Sequence, residues 1–157
     1  MAKKEKKTNA LRLLDQVHIT YIEHQFDIEH KILDDDINKD CANVYKTLVT
    51  VANNKTHFVF VIPLKATLDL KKAAKVAQVK KIEMLAQKEL LGLTGYIHGG
   101  CSPVGMKKSF KTFFDQSILK HDIILCSAGA VGLLMEIKRD QLVNYLNAEI
   151  SDVISVN

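Results

Sequence analysis

The sequence predicts a mixed α/β (α+β) chain, with a bent, barrel-like mixed sheet of about seven short strands flanked by helices. Three observations carry that expectation. Two β-branched apolar runs, V-Y-K-T-L-V-T-V at Val44–Val51 and H-F-V-F-V-I-P at His57–Pro63, are separated by Asn53-Asn54 and read as a hairpin. Apolar residues recur at helical spacing after Thr8, after Leu68 and after Arg139. The two kinds of stretch do not alternate as β-α-β-α throughout the chain.

In chain order, Met1–Lys7 holds four lysines against one glutamate and reads as a solvated basic tail, with residues 8–157 as one domain. Thr8 or Asn9 can cap a helix in which Ala10, Leu11, Leu13, Leu14 and Val17 form one apolar stripe. Thr20–Phe26 reads as a strand. Asp27–Asp40, with Asp34-Asp35-Asp36, reads as a solvated acidic loop or the first turn of a short helix. Consecutive aspartates do not easily face one ion together, and no EF-hand spacing follows. In the hairpin, Asn53-Asn54 is expected to supply positive φ. Leu68–Gln78 reads as a helix with Asp69 near its start and Lys71, Lys72 and Lys75 on a solvated face. Val79–Met84 reads as a short strand, and Ala86–Leu91 as a short helix ended by Gly92. Lys111–Phe114, Ile123–Cys126 and Gly132–Ile137 read as strands, with Ser127-Ala128-Gly129 interrupting the last two. Arg139–Leu146 reads as an amphipathic helix.

Composition narrows the function. With 157 residues, 47% hydrophobic and 25% charged, the chain can bury a substantial core. The net charge is +4, of which the tail contributes +3, so charge alone is weak support for a nucleic-acid partner. Lys71, Lys72, Lys75, Lys80 and Lys81 could still form a local basic surface. Cys41, Cys101 and Cys126 are odd in number and lack C-x-x-C, which argues against a disulfide framework or Cys-rich zinc site. The six histidines are scattered without H-E-x-x-H, and neither a metal nor a cofactor is expected. No apolar run of about 18 residues and no signal-peptide pattern occurs, so no membrane partner and a cytoplasmic location are expected.

The stretch T-G-Y-I-H-G-G-C-S-P-V-G-M-K-K at Thr94–Lys108 is the candidate site loop. It holds four of the seven glycines and one of the two prolines. A helix running through it would cost about 1 kcal/mol per glycine and about 3 for the proline. A shaped loop that brings backbone close to a ligand fits better. It matches neither G-x-x-x-x-G-K-[ST] nor G-x-G-x-x-G. His98 is the histidine placed nearest a site. Cys101 could act as a nucleophile only beside an activating base or cation. Ser127 is either a pocket hydroxyl or a turn residue. Lys46 shares a strand face with Val44, Leu48 and Thr50, and the pattern favours a sheet edge or solvent. The alternative is a pocket lysine holding a phosphate or carbonyl oxygen.

Six stretches in the same order resemble the bacterial YbaK/EbsC family. They are K-T-N-A-L-R-L-L-D (Lys7–Asp15), V-Y-K-T-L-V (Val44–Val49), L-D-L-K-K-A-A-K (Leu68–Lys75), K-K-I-E-M (Lys80–Met84), the Thr94–Lys108 loop, and C-S-A-G-A-V-G (Cys126–Gly132). The resemblance spans residues 7–147. It implies a barrel-like α/β editing domain related to the one inserted in bacterial prolyl-tRNA synthetase. The implied activity is trans-editing deacylation of Cys-tRNA(Pro), or of Cys-tRNA(Cys), in the cytosol. The implied partners are the 3′ end of an aminoacylated tRNA and prolyl-tRNA synthetase.

By the same resemblance, Lys46 is the essential lysine and Ser127 the pocket serine. Gly100, Cys101, Ser102, Pro103, Val104 and Gly105 form the family's G-x-x-P-x-G loop, and Phe26 replaces a strand-end tyrosine. Thr47, Tyr96, Gly99 and Gly129 complete the implied substrate-binding set. The expected chemistry is substrate-assisted, with Lys46 orienting the ester and backbone N–H groups of Gly99–Gly105 stabilising the developing oxyanion. Two departures bear on specificity. Leu134 stands where the family often has an aspartate, and the short Asp-rich segment before Lys46 lacks a clear aromatic counterpart. A deacylase for another small amino acid such as alanine, or a non-catalytic tRNA- or nucleotide-binding module, are the alternative readings. The oligomeric state is left open.

Overall fold

The computed structural model describes residues 7–27, 32–33 and 42–156. The mixed α/β class is present, with the strands arranged in two sheets rather than one closed barrel among the described residues. One sheet has four strands in the order β2-β1-β8-β7: β2 Ile32–Leu33, β1 Tyr21–Asp27, β8 Leu133–Lys138 and β7 Ile123–Ala130. All its pairings are antiparallel. The other has five strands in the order β5-β3-β4-β6-β9: β5 Ile82–Met84, β3 Tyr45–Ala52, β4 His57–Pro63, β6 Lys111–Asp115 and β9 Glu149–Ser151. Here β6 runs parallel to both its neighbours. Among the described residues a parallel bridge, Val44 to Leu125, links the sheets.

β4 shows why the second sheet can be read from sequence as an unbroken apolar run. Val59 and Val61 enter the main core, while Phe58, Phe60 and Ile62 enter a second core on the opposite face. A strand covered on both faces needs no polar alternation. The main core joins Tyr45, Val49 and Phe114 of the five-stranded sheet to Cys126, Met135 and Ile137 of the four-stranded one. The second core lies under helix α2, Leu70–Ala77, whose Ala73 and Ala74 allow close approach to the stacked Phe60 and Phe113 rings, 5.2 Å apart.

Local signals worked where the deciding chemistry is local. Helix α1, Asn9–Gln16, is capped by Thr8, whose Oγ1 accepts from Leu11 N–H at 3.2 Å. Ala10, Leu11 and Leu14 are buried, but Val17, beyond the last turn, is exposed and leaves the expected stripe. α2 begins two residues later than Leu68, because Asp69 Oδ1 accepts from Lys71 and Lys72 N–H and Leu68 bridges to Ile154. Helix α4 spans Arg139–Leu146, as predicted.

Other boundaries differ. The β3–β4 hairpin forms, but positive φ falls on Lys55 (71°) and not on Asn53-Asn54. Lys55 N–H donates to Ala52 O and Ala52 N–H to Thr56 O, a three-residue loop whose third position takes the left-handed conformation. Helix α3, Gln87–Thr94, runs through Gly92 and stops at Gly95, where φ is +87°. Ser127-Ala128-Gly129 does not break the sheet. β7 continues to Ala130 through a bulge, with Gly129 at φ +101°. β9 and a 3₁₀ turn at Gln116–Lys120 have no counterpart in the prediction. Within the acidic stretch only Asp27 and Ile32–Leu33 are described, Ile32 and Leu33 pairing with Asp27 and Phe26 as a strand; His30, Asp34–Asp36 and Cys41 lie outside the described residues. Among the described residues no helix is long and apolar enough to cross a membrane.

Candidate active site

The cavity begins with an edge of β3. Ala52 N–H donates to Thr56 O and Leu64 N–H to Val44 O, so even-numbered residues of β3 turn their backbone groups toward β4. Odd-numbered residues turn theirs the other way, where Leu85 N–H donates to Val49 O. β5 occupies this second edge only at Thr50–Ala52, and β7 meets it only at Val44. Between them, Tyr45–Leu48 faces a cavity of about 240 Å³. Its wall also includes Leu64, Leu90 of α3, His98, Gly99 and Cys101 of the glycine-rich loop, Ser127 of the bulge, and Gly132 and Leu134 of the β7–β8 hairpin.

The glycine-rich loop is held against this edge by its own bonds. Lys107 N–H donates to Thr94 O at 3.0 Å and Gly100 N–H to Ile97 O at 3.0 Å. Inside the loop the Tyr96 hydroxyl donates to Val104 O at 2.6 Å, and Ser102 Oγ accepts from Val104 N–H at 3.2 Å. Asn9 Nδ2, at the start of α1, donates to Gly105 O at 2.8 Å. The Thr8 hydroxyl donates to Ala128 O, tying α1 to the bulge as well. Gly100 is required by proximity. A Cβ there would meet Val131 N at 2.8 Å and Ala130 C at 3.0 Å, both backbone. The loop therefore presses directly on the β7–β8 hairpin.

Of the residues expected at the site, Lys46, Thr47, Gly99, Cys101 and Ser127 come together on the cavity wall. Lys46 does lie on an open stretch of strand edge, as the pattern favoured, but that edge faces a cavity rather than open solvent. The residue is partly buried and lines the cavity, because the edge it occupies is roofed by the loop. Tyr96, Gly100, Ser102, Pro103, Gly105 and Gly129 do not line it. Tyr96 and Ser102 are buried and spend their hydroxyls on the loop itself. Gly105 and Gly129 instead pack on Tyr96 and on Asn9 and Thr8 of α1's start. β1 carries Phe26 in register with Leu33, and its side chain lies outside the described residues. Leu64, Leu90 and Gly132 were not singled out from sequence, since each reaches the cavity from a different segment.

The wall is mostly apolar, with a few polar groups. No aspartate or glutamate lines it among the described residues. The Thr47 hydroxyl is buried with no hydrogen-bond partner among the described residues, a condition that costs about 1–3 kcal/mol. Ser127 Oγ accepts from Gly129 N–H at 3.1 Å, which leaves its own proton free to be donated. Burial pushes the Cys101 thiol up to about 11, against a small opposing effect of the Thr94 hydroxyl. At neutral pH it is a thiol, not the thiolate that nucleophilic attack needs. Tyr96 is pushed up to about 12, first by burial, and stays a neutral donor. Among the described residues no three His, Cys, Asp or Glu side chains converge to hold a metal.

A mixed α/β domain with a small apolar acyl-sized cavity, one lysine, two hydroxyls and a roof of loop backbone has the form of an acyl-ester site. Matching the chain to known proteins fits that form. A model of the aminoacyl-tRNA editing domain matches residues 33–145, and the chain belongs to that family. It is an editing enzyme whose substrate class is aminoacyl-tRNA. It is similar to EbsC of Enterococcus faecalis, named a candidate Cys-tRNA(Pro)/Cys-tRNA(Cys) deacylase, with 38% identity and 98% of both chains covered. Its fold is similar to a solved structure described as a candidate trans-editing enzyme for prolyl-tRNA synthetase, with TM-score 0.80, 18% identity, 97% of this chain and 100% of the other covered. A hypothetical protein of known structure gives TM-score 0.82 and 20% identity, with 94% of this chain and 99% of the other covered.

Proposed function

We propose that this chain is a trans-editing deacylase that hydrolyses Cys-tRNA(Pro), with residues 8–157 acting as one editing domain in the cytoplasm, beside prolyl-tRNA synthetase. The observation that carries the reading is the buried Thr47 hydroxyl, which lacks a partner on the wall of the cavity it shares with Lys46 and Ser127. A buried polar group without a protein partner calls for an explanation, and on a cavity wall a ligand that completes it is a direct one. An aminoacyl ester supplies a carbonyl oxygen, an ester oxygen and an α-ammonium to meet these groups, with a small side chain for the apolar wall.

In this reading Lys46 holds the ester or its neighbouring phosphate, and the backbone N–H groups of Gly99 and Cys101, which flank Gly100 on the cavity wall, stabilise the tetrahedral oxyanion. Cys101 is a wall, not a nucleophile. The substrate supplies the attacking group. The cysteine thiol adds to its own carbonyl carbon, the C–O bond to ribose breaks, and the ribose oxygen takes the thiol proton. The product of that route is a thiolactone; in the other route a ribose hydroxyl activates water. Proximity supplies the acceleration that a catalytic dyad gives elsewhere. The apolar wall at Leu134, where the family often has an aspartate, favours alanine as a second substrate. A small pocket separates the two poorly, since one methylene is worth about 1–3 kcal/mol.

The test is hydrolysis of Cys-tRNA(Pro) and Ala-tRNA(Pro) by the protein and by Lys46→Ala. Cleavage of Cys-tRNA(Pro) that disappears in Lys46→Ala is the expected result. Cleavage of Ala-tRNA(Pro) alone moves the specificity. Binding of both without cleavage overturns the enzymatic reading.

A further inference from the structure

We propose that the open depression beside the cavity, formed by Gln87, Lys88, Leu91, Ile97 and His98, is the platform for the terminal adenosine of the tRNA. This inference rests on the deacylase reading and names where the rest of its substrate lies. The cavity holds about 240 Å³, below the ~300–1,000 Å³ of pockets that enclose a drug-sized ligand, so it takes the aminoacyl group but not the nucleoside carrying it. The nucleoside must leave through the mouth and rest on the adjoining surface. That surface holds an open depression of about 470 Å³, and His98 lines both spaces.

Helix α3 divides the two tasks by its own geometry. Leu90 points into the cavity. Gln87 and Leu91, one turn apart, share the next face and line the depression. Leu91 and Ile97 are 54% and 52% exposed, two large apolar side chains beside a histidine ring. Their chemistry suits the face of a base, which stacks on imidazole and accepts apolar contact. The Gln87 amide offers both a donor and an acceptor to the base edge. Lys88 and Lys107 supply cations for the backbone phosphates; Lys107 Nζ lies 3.5 Å from Gly92 O at the far end of the same helix.

The test is titration of the methyl-labelled whole protein with adenosine 5′-monophosphate and, separately, with inorganic phosphate. Saturable shifts at the Leu91 and Ile97 methyls and the His98 ring with the nucleotide, and not with phosphate, are expected. Leu91→Ser and Ile97→Ser, both at exposed positions, should weaken nucleotide binding at least fivefold and raise KM for aminoacyl-tRNA about tenfold. Absent shifts, or shifts reproduced in full by phosphate alone, overturn the platform. Normal hydrolysis with unchanged KM in both variants overturns it and leaves the deacylase reading standing. Nucleotide shifts at these residues in a protein that hydrolyses no aminoacyl-tRNA do the reverse. Unchanged KM together with lost association with prolyl-tRNA synthetase assigns the depression to a protein partner and also overturns the proposal.

Discussion

Gly100→Ala and Gly92→Ala ask the same chemical question at two places with opposite answers. At Gly100 the added Cβ would sit 2.8 Å from Val131 N and 3.0 Å from Ala130 C. Both are backbone of the β7–β8 hairpin, so neither can rotate away. Relief requires the loop and hairpin to separate by about half an ångström, which overpacking data put at about 1–3 kcal/mol. The loop carries Gly99 and Cys101 on the cavity wall, so the shift reaches the reacting groups. A misplacement approaching 1 Å costs up to about 100-fold in rate, and a loss of about 10–100-fold in kcat/KM is expected. At Gly92 a Cβ meets nothing within 4 Å, and the position is inside α3. Alanine there should stabilise by about 0.4–1 kcal/mol through the unfolded chain and the helix. Urea unfolding of both variants and deacylation kinetics at matched temperature make the comparison. Wild-type stability and rate in Gly100→Ala would refute the claim that this contact positions the site.

Three further outcomes are expected. Thr47→Val removes the orphaned hydroxyl, so it should stabilise the free protein by about 1 kcal/mol while lowering kcat/KM; a variant that loses stability and keeps full activity contradicts the ligand-binding role. Cys101→Ala should cost about 1 kcal/mol of packing and retain most of the deacylase activity, since the buried thiol is not a nucleophile; complete loss of activity at retained fold would refute the substrate-assisted route. Alkaline unfolding should begin above pH 9. Burial pushes Cys101 up to about 11 and Cys126 up to about 12, against 9.0 for an ordinary thiol, so the folded state holds both protons more tightly. That contribution is complete below pH 9 and is lost as pH rises toward 11–12, so Tm measured from pH 8 to 11 should fall, and less so in Cys101→Ala.

The sequence by itself determined the elements whose stability is local: the apolar β3–β4 hairpin with its polar turn, the Thr8 and Asp69 caps, and α4 after the strand that precedes it. It also marked the Thr94–Lys108 loop and, through six ordered motifs, the family. The places where it failed share a cause. Gly92 reads as a stop, yet α3 continues because Leu90 and Thr94 are buried on either side of it, and packing outweighs about 1 kcal/mol of propensity. Ser127–Gly129 reads as a break, yet β8 pairs with β7 on both sides of the bulge. β9 is short and exposed at its start, and exists because β6 offers it a parallel edge. Lys46 shows the limit most clearly. Alternation along β3 fixes which face it takes, but not whether that face meets water. That depends on β5 and β7 leaving the strand edge free between them, and on Asn9 at the start of α1 holding the distant glycine-rich loop over the gap.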